Sequence, residues 1–125
     1  MALQSDVLTE NEVQAGKMDR RIRVELATEV DAPSGSGQKV LTWALFFRAW
    51  AEKRDLRGTE LFQAQQVAAK VTTTFRIRWR AGVNPGRNLR LIDESDGNRV
   101  YDITAAPELG RREGLELMAW ARAEA

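Results

Sequence analysis

The sequence predicts a mainly β fold, a small β-barrel or sandwich of about six strands with one short helix and long flexible loops. Three observations support this prediction. Residues 71–80, VTTTFRIRWR, alternate β-branched or aromatic side chains with polar and basic ones, which is the two-residue period of a half-buried strand. Residues 20–30 repeat the pattern, with Ile22, Val24 and Leu26 on one face. Clusters of Gly, Pro and Asn then separate the short segments of the second half, which indicates tight turns.

The first half of the chain is expected to hold two strands joined by a loop. Residues 1–15 are polar and are predicted to form an N-terminal arm before a single domain over residues 16–125. Strand 20–30 ends at a Gly/Ser-rich loop over residues 31–37. Residues 40–54 favour a strand by composition, although both of its faces carry large apolar groups. Phe46 and Trp50 on the outer face therefore need cover, either from a helix of the same chain or from a neighbouring subunit.

The second half is expected to hold the helix and the remaining strands. Residues 58–70 are predicted to be helical, because Thr59 can cap this segment and Leu61, Ala64 and Ala68 follow helical spacing. After strand 71–80 and a turn over residues 81–86, short strands are expected over 88–93 and 99–105, with a hairpin turn at 96–98. Residues 111–124 are predicted to be a closing strand. A helix is the alternative there, because Leu, Glu, Met and Ala all favour helices.

The composition narrows the possible functions. The chain has 125 residues, of which 43% are hydrophobic, and this suits one ordinary core. It has no Cys and no His, so thiolate catalysis, Cys zinc sites and the usual general base near neutral pH are excluded. We therefore expect no enzyme activity and no cofactor. A net charge of +1 argues against a domain whose main task is to bind bare nucleic acid. Neither a membrane helix nor a secretory signal is recognisable, so a soluble protein made in the cytosol is expected.

Motifs for ion and phosphate binding are weak. Neither of the common Gly-rich phosphate loops occurs in the sequence. Asp93, Glu94 and Asp96 cluster at a turn, but their spacing does not match an EF-hand loop. These carboxylates are interpreted as a solvated hairpin tip.

The arginines of strand 71–80 form the most prominent polar feature of the sequence. Arg76, Arg78 and Arg80 share the face opposite to Phe75 and Trp79. Arginine suits phosphate contacts through its fork geometry, and it suits carboxylate pairing between subunits equally well. The residues alone leave three interpretations open, namely a solvated or ion-paired face, a subunit interface and a DNA-facing surface.

The four tryptophans divide by strand face. Trp43 and Trp79 lie on faces that are predicted to point into the core. Trp50 and Trp120 lie on the opposite faces of their segments. Because aromatic residues are enriched in protein interfaces, a protein partner is expected for one or both of Trp50 and Trp120.

Five segments occur in an order and at a spacing that resemble a known family. They are AGKMDRRIRVE (15–25), TWALFFRAWAEKRDLRGTE (42–60), TFRIRWRAGVNPGRNLRL (74–91), GNRVYDI (97–103) and RREGLELMAWA (111–121). Together they resemble the phage head–tail joining family, the small head-closure or stopper proteins of long-tailed phages. The match covers about residues 15–125 and leaves the beginning of the chain without a counterpart.

The resemblance implies a virion structural protein of a phage, a prophage remnant or a phage-derived gene transfer agent. Such a protein is made in the cytoplasm of the bacterial host and located at the head–tail interface. Members of the family are small β-barrels that form a ring below the portal and adaptor, close the DNA-filled head and give the tail its docking surface. The implied partners are further copies in a sixfold or twelvefold ring, the portal or adaptor protein above, the tail terminator or tail tube protein below, and double-stranded DNA that passes without sequence recognition. No membrane contact is implied.

On this hypothesis, two sets of residues are candidate sites. The candidate subunit-interface or lumen residues are Arg76, Arg78, Arg80, Trp50, Phe46 and Trp120. The candidate gate loop is Ser34, Gly35, Ser36 and Gly37, because a flexible loop between two firm strands could reach into a lumen; the 53–70 excursion is the other candidate. The alternative function is a free-standing OB-like nucleic-acid-binding barrel, which needs exposed aromatics beside basic residues on one face.

Overall fold

The computed structural model describes residues 17–122. It contains one α-helix and seven strands within that range. They are β1 (Arg20–Asp31), β2 (Lys39–Asp55), α1 (Gly58–Val67), β3 (Thr73–Arg78), β4 (Leu89–Asp93), β5 (Arg99–Ala105), β6 (Glu108–Leu109) and β7 (Gly114–Ala121). The mainly β fold with one short helix is therefore confirmed. The predicted arm over residues 1–15 lies outside the described residues, and so do residue 16 and residues 123–125.

The strands form one antiparallel sheet that closes on itself. The order of pairing is β3-β2-β1-β4-β5-β7, and β7 also pairs with β3. β6 shares with β5 the remaining edge of β7. Because side chains alternate along each strand, a closed sheet brings one face of every strand into a common interior. The main core cluster consists of Ile22, Val24, Phe47, Ala51, Phe75, Ile77, Leu89, Leu91, Tyr101, Ile103, Leu115, Leu117 and Ala119.

The hairpin of β1 and β2 extends beyond the closed sheet. β4 pairs with β1 only from Ile22 to Leu26, and β3 pairs with β2 only from Glu52 to Asp55. The outer parts of the two strands are paired with each other alone. Residues 27–45 thus form a two-stranded projection, which we call the ribbon. The predicted loop lies at the tip of this ribbon, where Gly35 adopts a φ of 70° that favours glycine.

The excursion between β2 and β3 contains α1. This helix ends at Val67, earlier than predicted, because Ala68 already has an extended backbone. The capping prediction is wrong: Arg57 is the N-cap residue, and it makes no side-chain cap hydrogen bond. The predicted apolar face is confirmed, since Leu61 and Ala64 pack against a second buried cluster. The members of that cluster are Leu56, Ala68, Val71 and Met118.

The last segment of the chain is a strand, as predicted. β7 pairs with β3 along one edge and with β5 and β6 along the other, and Leu117 and Ala119 are fully buried. Pairing on both edges outweighs the helix propensity of Leu, Glu, Met and Ala. The hairpin turn before β5 is also confirmed, with φ values of 61° at Gly97 and 62° at Asn98. Within residues 17–122, no helix is long and apolar enough to cross a membrane.

Candidate assembly surface

A cleft opens in the sheet where β2 and β3 separate. Their last paired residues are Glu52 and Arg76. Beyond this pair the two segments diverge around a cavity of about 230 Å³. Its lining is formed by Met18, Phe47, Arg48, Ala49, Trp50, Ile77, Arg78, Trp79 and Arg80. We call this feature the cleft. It combines apolar side chains with three arginines, and it is smaller than the roughly 300–1,000 Å³ typical of small-molecule sites.

The three arginines predicted to share one face are divided by the structure. The side chain of Arg76 is only 12% exposed, and its guanidinium lies 4.0 Å from a carboxylate oxygen of Glu116 on β7. Arg78 is exposed at the end of β3 and lines the cleft. Arg80 lies past the end of β3, and its guanidinium stacks 4.3 Å from the ring centroid of Phe47. Because the strand ends at Arg78, the two-residue period no longer determines the direction of Arg80.

Trp50 lies beside the cleft arginines and is 53% exposed. It faces Arg21 across the β1–β2 pairing, and the Arg21 guanidinium lies 5.2 Å from the ring centroid of Trp50. Among the described residues, no carboxylate is within ion-pair distance of Arg78 or Arg80. The cleft rim therefore presents the exposed ring of Trp50 next to the positive charges of Arg78 and Arg80. No carboxylate within residues 17–122 neutralises these two charges.

Phe46 does not need external cover, contrary to the expectation from its position along β2. The β1–β2 register shifts between Val24 and Glu25, so that Val24 pairs with Phe47 and Glu25 with Leu45. This bulge leaves Phe46 as the extra residue, and a bulge re-aims a side chain. Phe46 packs against the main core cluster and meets Phe47 edge to face at 5.3 Å between ring centroids.

The other tryptophans occupy separate environments. Trp120 is half-buried on β7, with the ammonium of Lys70 5.1 Å from its ring centroid, and it is not part of the cleft. Trp79 packs against the main core, as predicted from its strand face. Trp43 does not join either core cluster. It is half-buried with guanidinium groups 4.1 Å (Arg90) and 5.5 Å (Arg122) from its ring.

An ion-pair network covers the outer face of β1 and β4. Glu25 accepts hydrogen bonds from Arg90 at 2.7 Å and from Arg23 at 3.2 Å, and Arg23 also donates to Glu94 at 2.8 Å. Burial raises the pKa of Glu25, but the hydrogen bonds from Arg90 and Arg23 outweigh burial and hold this pKa below its usual value. The hydrogen bond from Arg23 likewise lowers the pKa of Glu94. These residues are paired with one another, so this face is internally neutralised.

The interpretation of the 93–96 carboxylates as a solvated tip is wrong for Asp93 and Glu94. Asp93 is fully buried, and its Oδ1 accepts a hydrogen bond from the backbone N–H of Ser95 at 3.1 Å. Glu94 pairs with Arg23 and lies 3.5 Å from Arg48. The reason is that β4 is paired on both edges, with β1 and with β5, so its end lies inside the sheet. Only Asp96 remains exposed at the turn.

Besides the cleft, the ribbon is a second surface with exposed apolar side chains and an unpaired strand edge. Leu41 and Leu45 alternate along β2 with Trp43, whose face was predicted to point into the core. They are 58% and 53% exposed, because β2 extends past the closed sheet. From Lys39 to Ala51, β2 pairs with β1 on one edge and with no described strand on the other. Such an edge is a template for pairing with another chain. The candidate gate residues Ser34, Gly35, Ser36 and Gly37 are exposed at the ribbon tip.

Sequence reasoning found Trp50 and the arginines but not the cleft that groups them. A signal was present in Arg48 and Trp50 on β2, which repeat the two-residue spacing of Arg78 and Arg80. The exposure of Leu41 also had a signal, since a Gly/Ser turn between two long alternating segments is typical of a projecting hairpin. Neither signal predicts the residue at which the β2–β3 pairing stops. The cleft and the open edge of the ribbon both exist because the pairing stops at Glu52 and Arg76.

Comparison with known protein families shows which family this chain belongs to. The sequence model of the phage head completion protein family matches residues 13–123. The chain belongs to this family. The resemblance found in the five ordered segments is thereby confirmed. A phage head completion protein has a structural role in the phage head, and the matched range includes both the cleft and the ribbon.

A solved structure has a similar fold. It is the solution structure of protein SF1141 from Shigella flexneri 2a, which aligns with a TM-score of 0.71 at 21% sequence identity over 90% of this chain and 100% of that chain. At that identity the likeness shows the fold alone. No curated protein matched the chain at a significant level.

Proposed function

We propose that this phage head completion protein forms a ring in the head–tail connector, below the portal and adaptor. The ring closes the DNA-filled head and offers the surface on which a tail terminator or tail tube protein docks. The observation that carries the proposal is the open edge of β2, which runs from Lys39 to Ala51 beside exposed Leu41 and Leu45. A closed ring of identical subunits needs two different surfaces on each subunit. The ribbon and the cleft, which follow one another along the open edge of β2, are proposed as these two surfaces.

The ribbon tip is proposed as the gate. Ser34, Gly35, Ser36 and Gly37 carry no charge, and Lys39 at the base of the tip is paired with Asp31. Phosphate binding by basic residues dominates the affinity of proteins for DNA. A neutral tip therefore suits double-stranded DNA that must slide through a sixfold or twelvefold ring without sequence recognition. The role is structural, with no catalysis and no membrane contact.

The candidate interface residues contribute unequally to this proposal. Trp50, Arg78 and Arg80 point into a surface that lacks a described partner, so they are proposed to contact another protein of the connector. Arg76 is paired with Glu116 and Phe46 packs on the core, which gives both a role inside the subunit. Trp120 is half-buried beside Lys70 and is a weaker interface candidate.

The test is imaging of particles from a phage strain that lacks this gene. We expect separated tails beside heads that packaged DNA and then lost it, and normal joined particles would contradict the proposal. Complementation with the ribbon variant Leu41→Ser/Leu45→Ser should fail. The matched control is Phe62→Ser/Val67→Ser, which removes exposed apolar side chains from α1 instead. Failure of the control with success of the ribbon variant would move the proposed assembly surface from the ribbon to α1.

One observation favours a second candidate function, an OB-like nucleic-acid-binding barrel. Trp50 lies beside Arg78 and Arg80 in the cleft, and an exposed aromatic next to basic residues is what base stacking requires. Fluorescence anisotropy with a labelled single-stranded oligonucleotide would test it. Binding that weakens steeply with salt and is lost in Trp50→Ala would support this alternative.

A further inference from the structure

The cleft has the properties of a docking site for an acidic, partly apolar segment. Phe47, Ala49 and Ile77 contribute apolar lining, while Arg78 and Arg80 stand on the rim with no described carboxylate partner. Its volume of about 230 Å³ suits a few side chains rather than a drug-sized ligand. The edge of β2 along the cleft has no described strand partner, so an extended peptide could add hydrogen bonds there.

The beginning of this chain has the complementary chemistry. Residues 1–16 contain Asp6, Glu10 and Glu12 and neither Lys nor Arg. Apolar side chains lie between these carboxylates, at Val7 and Leu8. Most of this segment precedes residue 13, where the family match begins, so the family's structural role does not account for it.

The segment is also tethered at the right place. The described chain starts at residue 17, and Met18 lines the cleft. Extended chain covers at most about 3.3–3.6 Å per residue, so residues 1–16 could reach about 50 Å, far more than the cleft requires. A short tether gives an effective concentration on the order of millimolar, which favours the segment of the same chain over that of another copy.

We propose that residues 1–16 dock into the cleft of their own chain, with Asp6, Glu10 and Glu12 pairing with the arginines of the rim. In this state the segment covers Trp50 and neutralises Arg78 and Arg80. A second consequence rests on the proposed function: the occupied cleft keeps an unassembled subunit from contacting its partner until the segment is displaced. The docking itself does not depend on ring formation.

The test uses the full chain and a single nitroxide spin label. Because the chain has no Cys, Ser5→Cys gives one labelling site. The spin-labelled, ¹⁵N-labelled chain is diluted with unlabelled chain, so that broadening between molecules is suppressed. We expect strong broadening of the amide signals of residues 48–50 and 78–80 and of the Trp50 indole N–H. Thr28 and Thr42 in the ribbon should keep their intensity.

Charge variants separate docking from chance proximity. In Asp6→Asn/Glu10→Gln/Glu12→Gln the broadening at the cleft should fall several-fold. The matched control neutralises three exposed carboxylates elsewhere and should leave the broadening unchanged; its substitutions are Glu29→Gln, Asp96→Asn and Glu113→Gln. Equal broadening in both variants would overturn the proposal, as would weak broadening spread over the whole sheet.

Two further outcomes would assign the cleft to another occupant. Broadening that appears only between differently labelled molecules and grows with concentration would identify a second copy instead. Cleft signals that shift with a single-stranded oligonucleotide, without any broadening from the spin label, would identify nucleic acid. All of these measurements use the isolated chain, so a negative result here leaves the particle-imaging test of the proposed function independent.

Discussion

Glu25→Gln tests the ion-pair network on the outer face of β1 and β4. Glu25 Oε1 lies 2.7 Å from both Nε and a terminal nitrogen of Arg90, and Oε2 lies 3.2 Å from Nε of Arg23. The side chain of Glu25 is only 14% exposed, so solvent screens these contacts incompletely. Arg90 is further held by stacking on Trp43. The network therefore ties β1 to β4 and orders the base of the ribbon.

The expected loss follows from the two guanidinium contacts. A hydrogen bond to a charged group contributes a net of about 1.5–3 kcal/mol, and a neutral one about 0.5–1.5 kcal/mol. Glutamine has one acceptor oxygen, which can keep a weaker hydrogen bond from Arg90 at a cost of about 1 kcal/mol. Its amide NH2 takes the place of Oε2 and cannot accept from Arg23, whose partly exposed guanidinium keeps Glu94, so the loss of this contact costs about 1 kcal/mol. We expect Glu25→Gln to reduce the free energy of unfolding by about 2 kcal/mol at pH 7, which corresponds to a fall in Tm of about 8 °C for a domain of this size.

The loss should depend on pH. The folded protein holds the pKa of Glu25 below its unfolded value of about 4.3, so the folded state binds this proton less tightly. The stabilisation is complete above the unfolded pKa and is lost as pH falls through the lower folded pKa. The difference between the wild type and Glu25→Gln should therefore begin to shrink as pH falls below about 5, and it should go on shrinking as pH passes through the lowered folded pKa.

Urea unfolding followed by tryptophan fluorescence at pH 7 and pH 3 measures both effects. Glu29→Gln is the matched control, because Glu29 lies on the same strand, is exposed and has no ion-pair partner among the described residues. The control should change the unfolding free energy by less than about 0.5 kcal/mol. An equal loss for Glu25→Gln at both pH values would refute the reasoning, and so would a loss no larger than that of the control.

Three further predictions concern the core, a turn and the cleft. Ile77→Val removes one buried methylene from the main core and should cost about 1 kcal/mol in urea unfolding; no change would show that the interior is loosely packed. Gly97→Ala should cost about 1–2 kcal/mol, because φ is 61° there and open space surrounds the position; calorimetry showing an unchanged Tm would contradict this. Trp50→Ala should leave the unfolding free energy within about 1 kcal/mol, since the ring is half-exposed, yet reduce the amount of the protein found in purified particles. Unreduced incorporation would remove Trp50 from the proposed interface.

Local patterns in the sequence were sufficient to predict several elements of the fold. Alternation of apolar and polar side chains defined β1 and β3, and helical spacing of Leu61 and Ala64 identified the packed face of α1. The turn at Gly97 and Asn98 followed from the tolerance of these residues for positive φ. The order of five short segments was enough to indicate the family. The strands, the helix face and the turn depend on periods and conformational preferences within a few neighbouring residues, so no tertiary information is needed. The order of the segments is itself a property of the sequence.

The partner that each strand face contacts depends on tertiary pairing and could not be predicted from local patterns. A bulge that is set by pairing with β1 turned Phe46 onto the core, and the end of β3 separated Arg78 and Arg80 from the ion-paired Arg76. β7 became a strand because both of its edges are paired, although its residues favour a helix equally well. The physical reason is the same in each case. A local period predicts which side chains share a face. The residue at which two strands stop pairing depends instead on contacts between residues far apart in the chain. The cleft and the ribbon both result from where the pairing stops.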